Sequence, residues 1–190
     1  MNETSILLTI IVFWGLACFL LGKNKGYSRV LSNVDNTYYY VKQDVNLQLM
    51  KSKADTLAKV NKNITTLLEY LKTNKNKEFE KNIALLRQRY TLGSLYENIY
   101  PDAHNTTYTI NKGEQIAVCL EDSKNFNDLM FVLIHELSHI GSESYGHNEE
   151  FKKFFNFLIK ESVQIGVYSY QDYSKNPTGY CGMIINSSPV

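Results

Sequence analysis

The sequence predicts an α+β protein, with an N-terminal transmembrane helix and a long amphipathic helix ahead of a small domain in which a short antiparallel sheet packs on helices. Three observations carry that prediction. A charge-free apolar run spans residues 6–22, an apolar stripe spaced by three and four residues runs from Leu47 to Leu71, and two β-rich runs around a Gly-containing turn precede further amphipathic stretches. The 190 residues divide accordingly into an anchor (1–22), a linker with the amphipathic helix (23–76) and a folded domain (77–190).

The run Ile6 to Gly22 would form a helix of about 25 Å, near the lower limit for crossing a bilayer. A cleaved signal peptide is the rival reading, but the leading residues Met1 to Ser5 contain no Lys or Arg. Lys23, Lys25 and Arg29 follow the run, so the positive-inside bias predicts a single-pass membrane protein with a cytoplasmic C-terminal domain. The sequons at Asn63, Asn105 and Asn186 would report the opposite topology if glycosylated.

Residues 22–44 read as a linker entering short extended structure at Tyr38, Tyr39 and Tyr40. The stripe of Leu47, Met50, Ala54, Leu57, Ile64, Leu68 and Leu71 includes polar Asn61, and suits either a helix packed on the domain or a dimerising stalk. A second helix is expected from Lys77 to Tyr90. Thr107 to Ile110 and Gln115 to Leu120 then form a hairpin about Asn111-Lys112-Gly113-Glu114. A helix over Asp128 to Ile140 stops at Gly141, and another begins with Asn148 as its cap. The tail from Gly166 reads as loop.

Composition narrows the partners. Twenty Lys+Arg against nineteen Asp+Glu leave a net charge of +1, which gives no electrostatic case for nucleic acid. Cys18, Cys119 and Cys181 form no CxxC pattern and read as unpaired, consistent with a cytosolic domain. A metal site must therefore come from His and carboxylates.

His135-Glu136-Leu137-Ser138-His139 supplies one. At i and i+4 on a helix both imidazoles reach one ion, while Glu136 stands where a carboxylate can take the proton of a zinc-activated water. His147, across a Gly-containing turn, completes three sides of a tetrahedron and leaves the fourth open, the mark of a catalytic zinc site. Glu143, Glu149 or Glu150 are the alternative third ligands. His104 reads as a loop residue.

His135 to His139 followed by Gly146-His147-Asn148-Glu149-Glu150-Phe151 resembles the WLM and SprT-like branch of the zincin metallopeptidases. The resemblance is closest to small WLM-type metallopeptidases of large DNA viruses, which share runs like Tyr108 to Glu114 before the motif and Asp172-Tyr173, Asn176-Pro177 and Tyr180 to Met183 after it. It covers residues 85–190. The resemblance implies one Zn2+ per chain on His135, His139 and His147, Glu136 as general base, a hairpin beside the active-site helix, and a protein or peptide substrate adding along a sheet edge. Relatives in this branch repair DNA–protein crosslinks, a role that the neutral charge and the expected anchor oppose. Tyr145 or Tyr180 would serve as oxyanion donor or as packing, and Cys181 as a thiolate capping zinc or a buried free cysteine.

The functional expectation is a membrane-anchored zinc metallopeptidase. The alternatives are a zinc-containing but inactive protein-binding module and a membrane-tethered helical adaptor. The pattern leaves the oligomeric state open.

Overall fold

A computed structural model describes residues 26–189 except 75, 92, 103–104 and 121–124. Strands β1 (Tyr27–Leu31) and β2 (Tyr38–Lys42) lead into helices α1 (Leu47–Thr73) and α2 (Glu80–Arg89). Strands β3 (Leu95–Glu97), β4 (Tyr108–Ile110) and β5 (Gln115–Val118) precede helices α3 (Phe126–Gly141) and α4 (Glu149–Gln164), and β6 (Thr178–Tyr180) with β7 (Met183–Ile185) closes the chain.

The class is α+β, but the expected membrane helix needs correcting. Among the described residues no helix is long and apolar enough to cross a membrane. The run at residues 6–22 lies outside the described residues, as do Cys18 and His104. The described fold contains no spanning helix, which overturns the expected single-pass membrane placement.

Helix α1 begins where the Asn46 side chain accepts a hydrogen bond from the Leu49 N–H. Of its predicted stripe, Met50, Ala54, Leu57, Ile64 and Leu71 are buried in the same core as α3 and α4, whereas Leu47 is exposed and Leu67 rather than Leu68 is buried, so the helix faces its own domain rather than a partner helix. Polar Asn61 fits that stripe because its side-chain oxygen accepts from the Tyr90 hydroxyl at 2.7 Å.

The central sheet has the order β3-β5-β4. Strand β4 pairs antiparallel with β5, with Thr109 opposite Ile116, as the hairpin pattern predicts. Strand β3 pairs parallel with β5, so the sheet is mixed rather than antiparallel. Three residues, Leu95 to Glu97, are too short to show a period, and the sheet takes them up only because β5 has a second edge to fill. On its other side β4 has no strand partner among the described residues.

Helix α3 is buried along most of its length, from Leu129 to Gly141. Gly141 is its last residue rather than a break after it. A Cβ there would lie 2.3 Å from the Phe154 ring, so the glycine is needed for the close approach of α3 and α4.

The tail from Gly166 is not all loop. β6 and β7 form a hairpin about Cys181 and Gly182, both with positive φ (49° and 80°), as a two-residue turn of this hand requires. The cysteines also differ from expectation. Cys119 at the end of β5 is bonded to Cys181 in this turn, so neither is a free thiol and Cys181 is not a cap for a metal. Sixty-two residues separate them, and only the return of the tail over α3 brings them together.

This crosslink encloses α3 and α4, and closing so long a loop restricts the unfolded chain by the equivalent of about 4 kcal/mol. Replacing both Cys119 and Cys181 by Ser should lower the free energy of unfolding in urea by about 2–4 kcal/mol. Equal midpoints for the variant and the oxidised parent would show that the bond does not stabilise the fold.

Candidate metal centre and its groove

Helix periodicity stacks His135 and His139 one turn apart, with ring centroids at 4.9 Å. His147 directly precedes the Asn148 cap of α4, whose side chain accepts from the Phe151 N–H and so sets where the helix starts. The His147 Nε2 atom lies 3.0 Å from that of His135 and 3.1 Å from that of His139. Ligand nitrogens at about 2.0–2.1 Å from one tetrahedral ion stand about 3.3 Å apart, so the trio has the spacing of three ligands to a single metal. Among the described residues this is the group of His, Cys, Asp and Glu able to hold one.

Phe151 backs all three rings, stacking on His139 at 4.2 Å, and Phe155 packs edge-on to His135 at 5.2 Å. Burial drives the His135 imidazole down to about 3, helped by its two neighbouring histidines. His139 falls to about 4 through burial, then His147 and Lys112. Both rings are therefore neutral at physiological pH, the state in which imidazole binds metal. Burial acts in the opposite sense on Glu136, which is 7% exposed and pushed up to about 8, with the Thr109 backbone N–H opposing the shift.

The segment carrying His147 is held by groups that the sequence did not single out. Arg89 donates to the carbonyls of Ile140 and Ser142 at 2.8 and 3.0 Å, and Asn82 to that of Gly141 at 3.0 Å. The Lys112 ammonium donates to the carbonyls of Ser142, Glu143 and Ser144 at 2.8, 3.1 and 2.7 Å. Lys112 reaches them from the β4–β5 turn, where Asn111 and Lys112 both adopt positive φ and Gly113 packs against Ile140. Nothing local marks Lys112, since the turn pattern explains it without the carbonyls 30 residues away.

The alternative third ligands have other work. Glu150 accepts from the Glu143 N–H, from the Ser144 hydroxyl and from Asn82; burial raises its pKa, but these bonds hold it at about 2. Glu143 pairs with Lys81 at 2.7 Å and Glu149 with Lys152 at 2.9 Å. His147 is thus the third group that the fold brings to His135 and His139.

The centre opens into a groove of about 660 Å³. Residues 106–109 of the β4 segment, the Lys112 turn, His147 and Tyr145, and strand β7 all line it. Of the two tyrosines, Tyr180 is buried, sharing a 2.7 Å hydrogen bond with the Thr107 hydroxyl and donating to the Cys119 carbonyl at 3.0 Å. Tyr145 is 84% exposed at the groove wall, beneath the Lys112 ammonium at 4.3 Å.

A family model for the WLM domain matches residues 47–184. The chain belongs to the WLM domain family. The match begins with α1, well before residue 85 where the resemblance becomes legible by eye. Similar proteins are viral: the uncharacterized protein R325 of Acanthamoeba polyphaga mimivirus is 37% identical over 185 residues, covering 93% of this chain and 92% of its own. The uncharacterized protein 136R of Invertebrate iridescent virus 6 is 28% identical over 99 residues, 48% of this chain and 53% of its own. The uncharacterized protein 042R of Invertebrate iridescent virus 3 is 30% identical over 96 residues, 47% of this chain and 58% of its own. No solved structure matches the chain.

Two outcomes follow from this geometry. Lys112→Met should weaken metal binding about 10- to 100-fold by freeing the loop that carries His147, with Lys112→Arg recovering part of it. Competition against a chromophoric chelator measures this, and an unchanged affinity would remove Lys112 from the site. In metal-free protein, the unfolded chain binds protons at His135 and His139 below about pH 6.5, whereas the folded chain resists them until about 4 and 3. Glu136, raised to about 8, works in the opposite sense, but two histidines outweigh one carboxyl. Stability should therefore fall net as pH drops from about 6.5 to 4, and a melting temperature that rises across that window would contradict the neutral pair.

Proposed function

We propose that this WLM protein is a zinc-dependent metallopeptidase, with one Zn2+ held by His135, His139 and His147 and with Glu136 as general base. The observation that carries this reading is the buried Glu136 carboxyl in the same groove as three converging Nε2 atoms. Three imidazole nitrogens suit zinc, and three ligands leave a coordination position open. Zinc supplies the Lewis acidity that makes water nucleophilic near neutral pH and polarises a peptide carbonyl.

The protein groups supply the rest. The outer edge of β4, which has no strand partner among the described residues, can offer backbone groups other than the Thr109 N–H that Glu136 takes to an extended substrate, a mode that reads little side-chain sequence. Glu136 accepts the proton of the attacking water and returns it to the departing amine, so the scissile C–N bond breaks with no net change at the carboxylate. Burial raises the pKa of the Glu136 carboxyl in the metal-free protein, and a cation bound beside it would favour the carboxylate form that a base requires. Tyr145 lines the groove and is the phenol offered to the carbonyl oxygen, since the Tyr180 hydroxyl is engaged with Thr107 and Cys119.

The test is digestion of a peptide library by purified protein whose zinc is measured in parallel. We expect one zinc per chain, lost in His135→Ala. Glu136→Gln should keep the metal and lose cleavage by at least about 100-fold. Retained cleavage in Glu136→Gln, or wild-type protein that holds zinc and cuts nothing, would reject the peptidase reading.

A further inference from the structure

We propose that the groove selects an extended peptide with a bulky apolar side chain on one side of the bond held over Glu136, and that β7 is the wall that selects it. The proposal rests on the groove being a peptide site, and it concerns which peptides enter. The groove has a direction. Glu136 is fixed opposite the Thr109 N–H, and the Lys112 turn and Tyr145 lie toward the C-terminal end of β4. β7 lies toward the other end, where the Thr106 hydroxyl meets the Met183 sulfur at 3.2 Å.

The two ends differ in chemistry. The β7 side is lined by Met183, Ile184 and Ile185 with Thr106, Thr107, Asn186 and Ser187 around them, and α3 adds Phe131 and Val132. Phe131, Val132 and Ile185 are buried, so Met183 and Ile184 present the accessible apolar surface. Ile184 stands out: it lines the groove, yet 66% of it is exposed, an apolar side chain that a ligand can cover. From Thr109 to Thr106 is three residues, about 10 Å of strand, so the selected side chain sits one to three positions from the scissile bond.

Charge accounting weighs against the rival specificities. Among the described residues, the charged side chains lining the groove besides the histidines are Lys112 and Glu136. Lys112 spends its three protons on the carbonyls of Ser142, Glu143 and Ser144, and Glu136 lies buried beside the metal ligands. Neither is available to pair with a charged substrate side chain, whereas the apolar wall would penalise one by desolvating it. β7 is also a wall set in place: the Cys119–Cys181 bond and the Tyr180 hydroxyl tie its hairpin to the segment that precedes β4 and to the end of β5.

Two readouts separate this inference from the peptidase reading. Zinc-loaded Glu136→Gln protein is titrated by fluorescence anisotropy with extended peptides that carry Leu, Lys or Glu at one varied position, while wild type is assayed for cleavage of the same set. We expect the best Leu peptide to bind about tenfold tighter than its Lys and Glu counterparts, with the preference on one side of the cut. Ile184→Asp, added to Glu136→Gln, changes an exposed position and should erase that preference; circular dichroism confirms that it folds. Equal binding of the three peptides, tighter binding of a charged one, or an unchanged preference in the Ile184→Asp protein would overturn the proposal. Cleavage bears only on the peptidase reading: selective binding without turnover would reject that reading and leave the apolar wall standing.

Discussion

The capture of the carbonyls at the end of α3 determines where the third histidine lies. The last turn of a helix leaves its carbonyls without intrahelical partners, and a buried end must find others. Here Arg89 and Asn82 from α2 take the carbonyls of Ile140, Gly141 and Ser142, and Lys112 takes those of Ser142 to Ser144. Glu150 binds the same segment from the opposite side through the N–H of Glu143 and the hydroxyl of Ser144. Hydrogen bonds to charged groups contribute about 1.5–3 kcal/mol each, enough together to offset the entropy of ordering a seven-residue connection. His135 and His139 need only the helix, but His147 needs this clamp.

One physical cause, removal of water, prepares both kinds of group in the centre. It holds His135 and His139 neutral and raises Glu136. Phe151 and Phe155 supply much of the low-dielectric surround, and they come from the α4 face that also packs on α3. The packing that holds the two helices together is therefore the packing that tunes the imidazoles. Gly141 belongs to the same arrangement, because any side chain there would push Phe154 away and open the gap between α3 and α4.

The groove is assembled from segments distant in sequence. β4 supplies one wall with an unpaired edge, and β7, more than 70 residues later, supplies apolar side chains at one end. The hairpin that carries β7 is tied to the body by the Cys119–Cys181 bond, the buried Tyr180 hydroxyl and the burial of Ile185 in the core. An open groove costs buried area, and the crosslink offsets that cost without filling the space.

Features written in neighbouring residues were legible from the sequence alone. The i, i+4 spacing of His135 and His139, the Asn148 cap, the α1 stripe and the β4–β5 hairpin each depend on periodicities of a few residues, and each stands where the pattern placed it. Less local features were not legible. Strand β3 is three residues long, and the β6–β7 turn uses Cys181-Gly182 rather than the usual Asn-Gly. The disulfide and the Lys112 clamp join residues 62 and about 30 positions apart, through contacts that no local pattern encodes. The sequence by itself determined which residues could bind a metal and on which helix they stand. Only the tertiary structure decided that His147 joins them, that two cysteines pair, and that the site opens into a groove with one apolar end. Helical spacing is a property of the chain, whereas these three depend on which distant surfaces the core brings together.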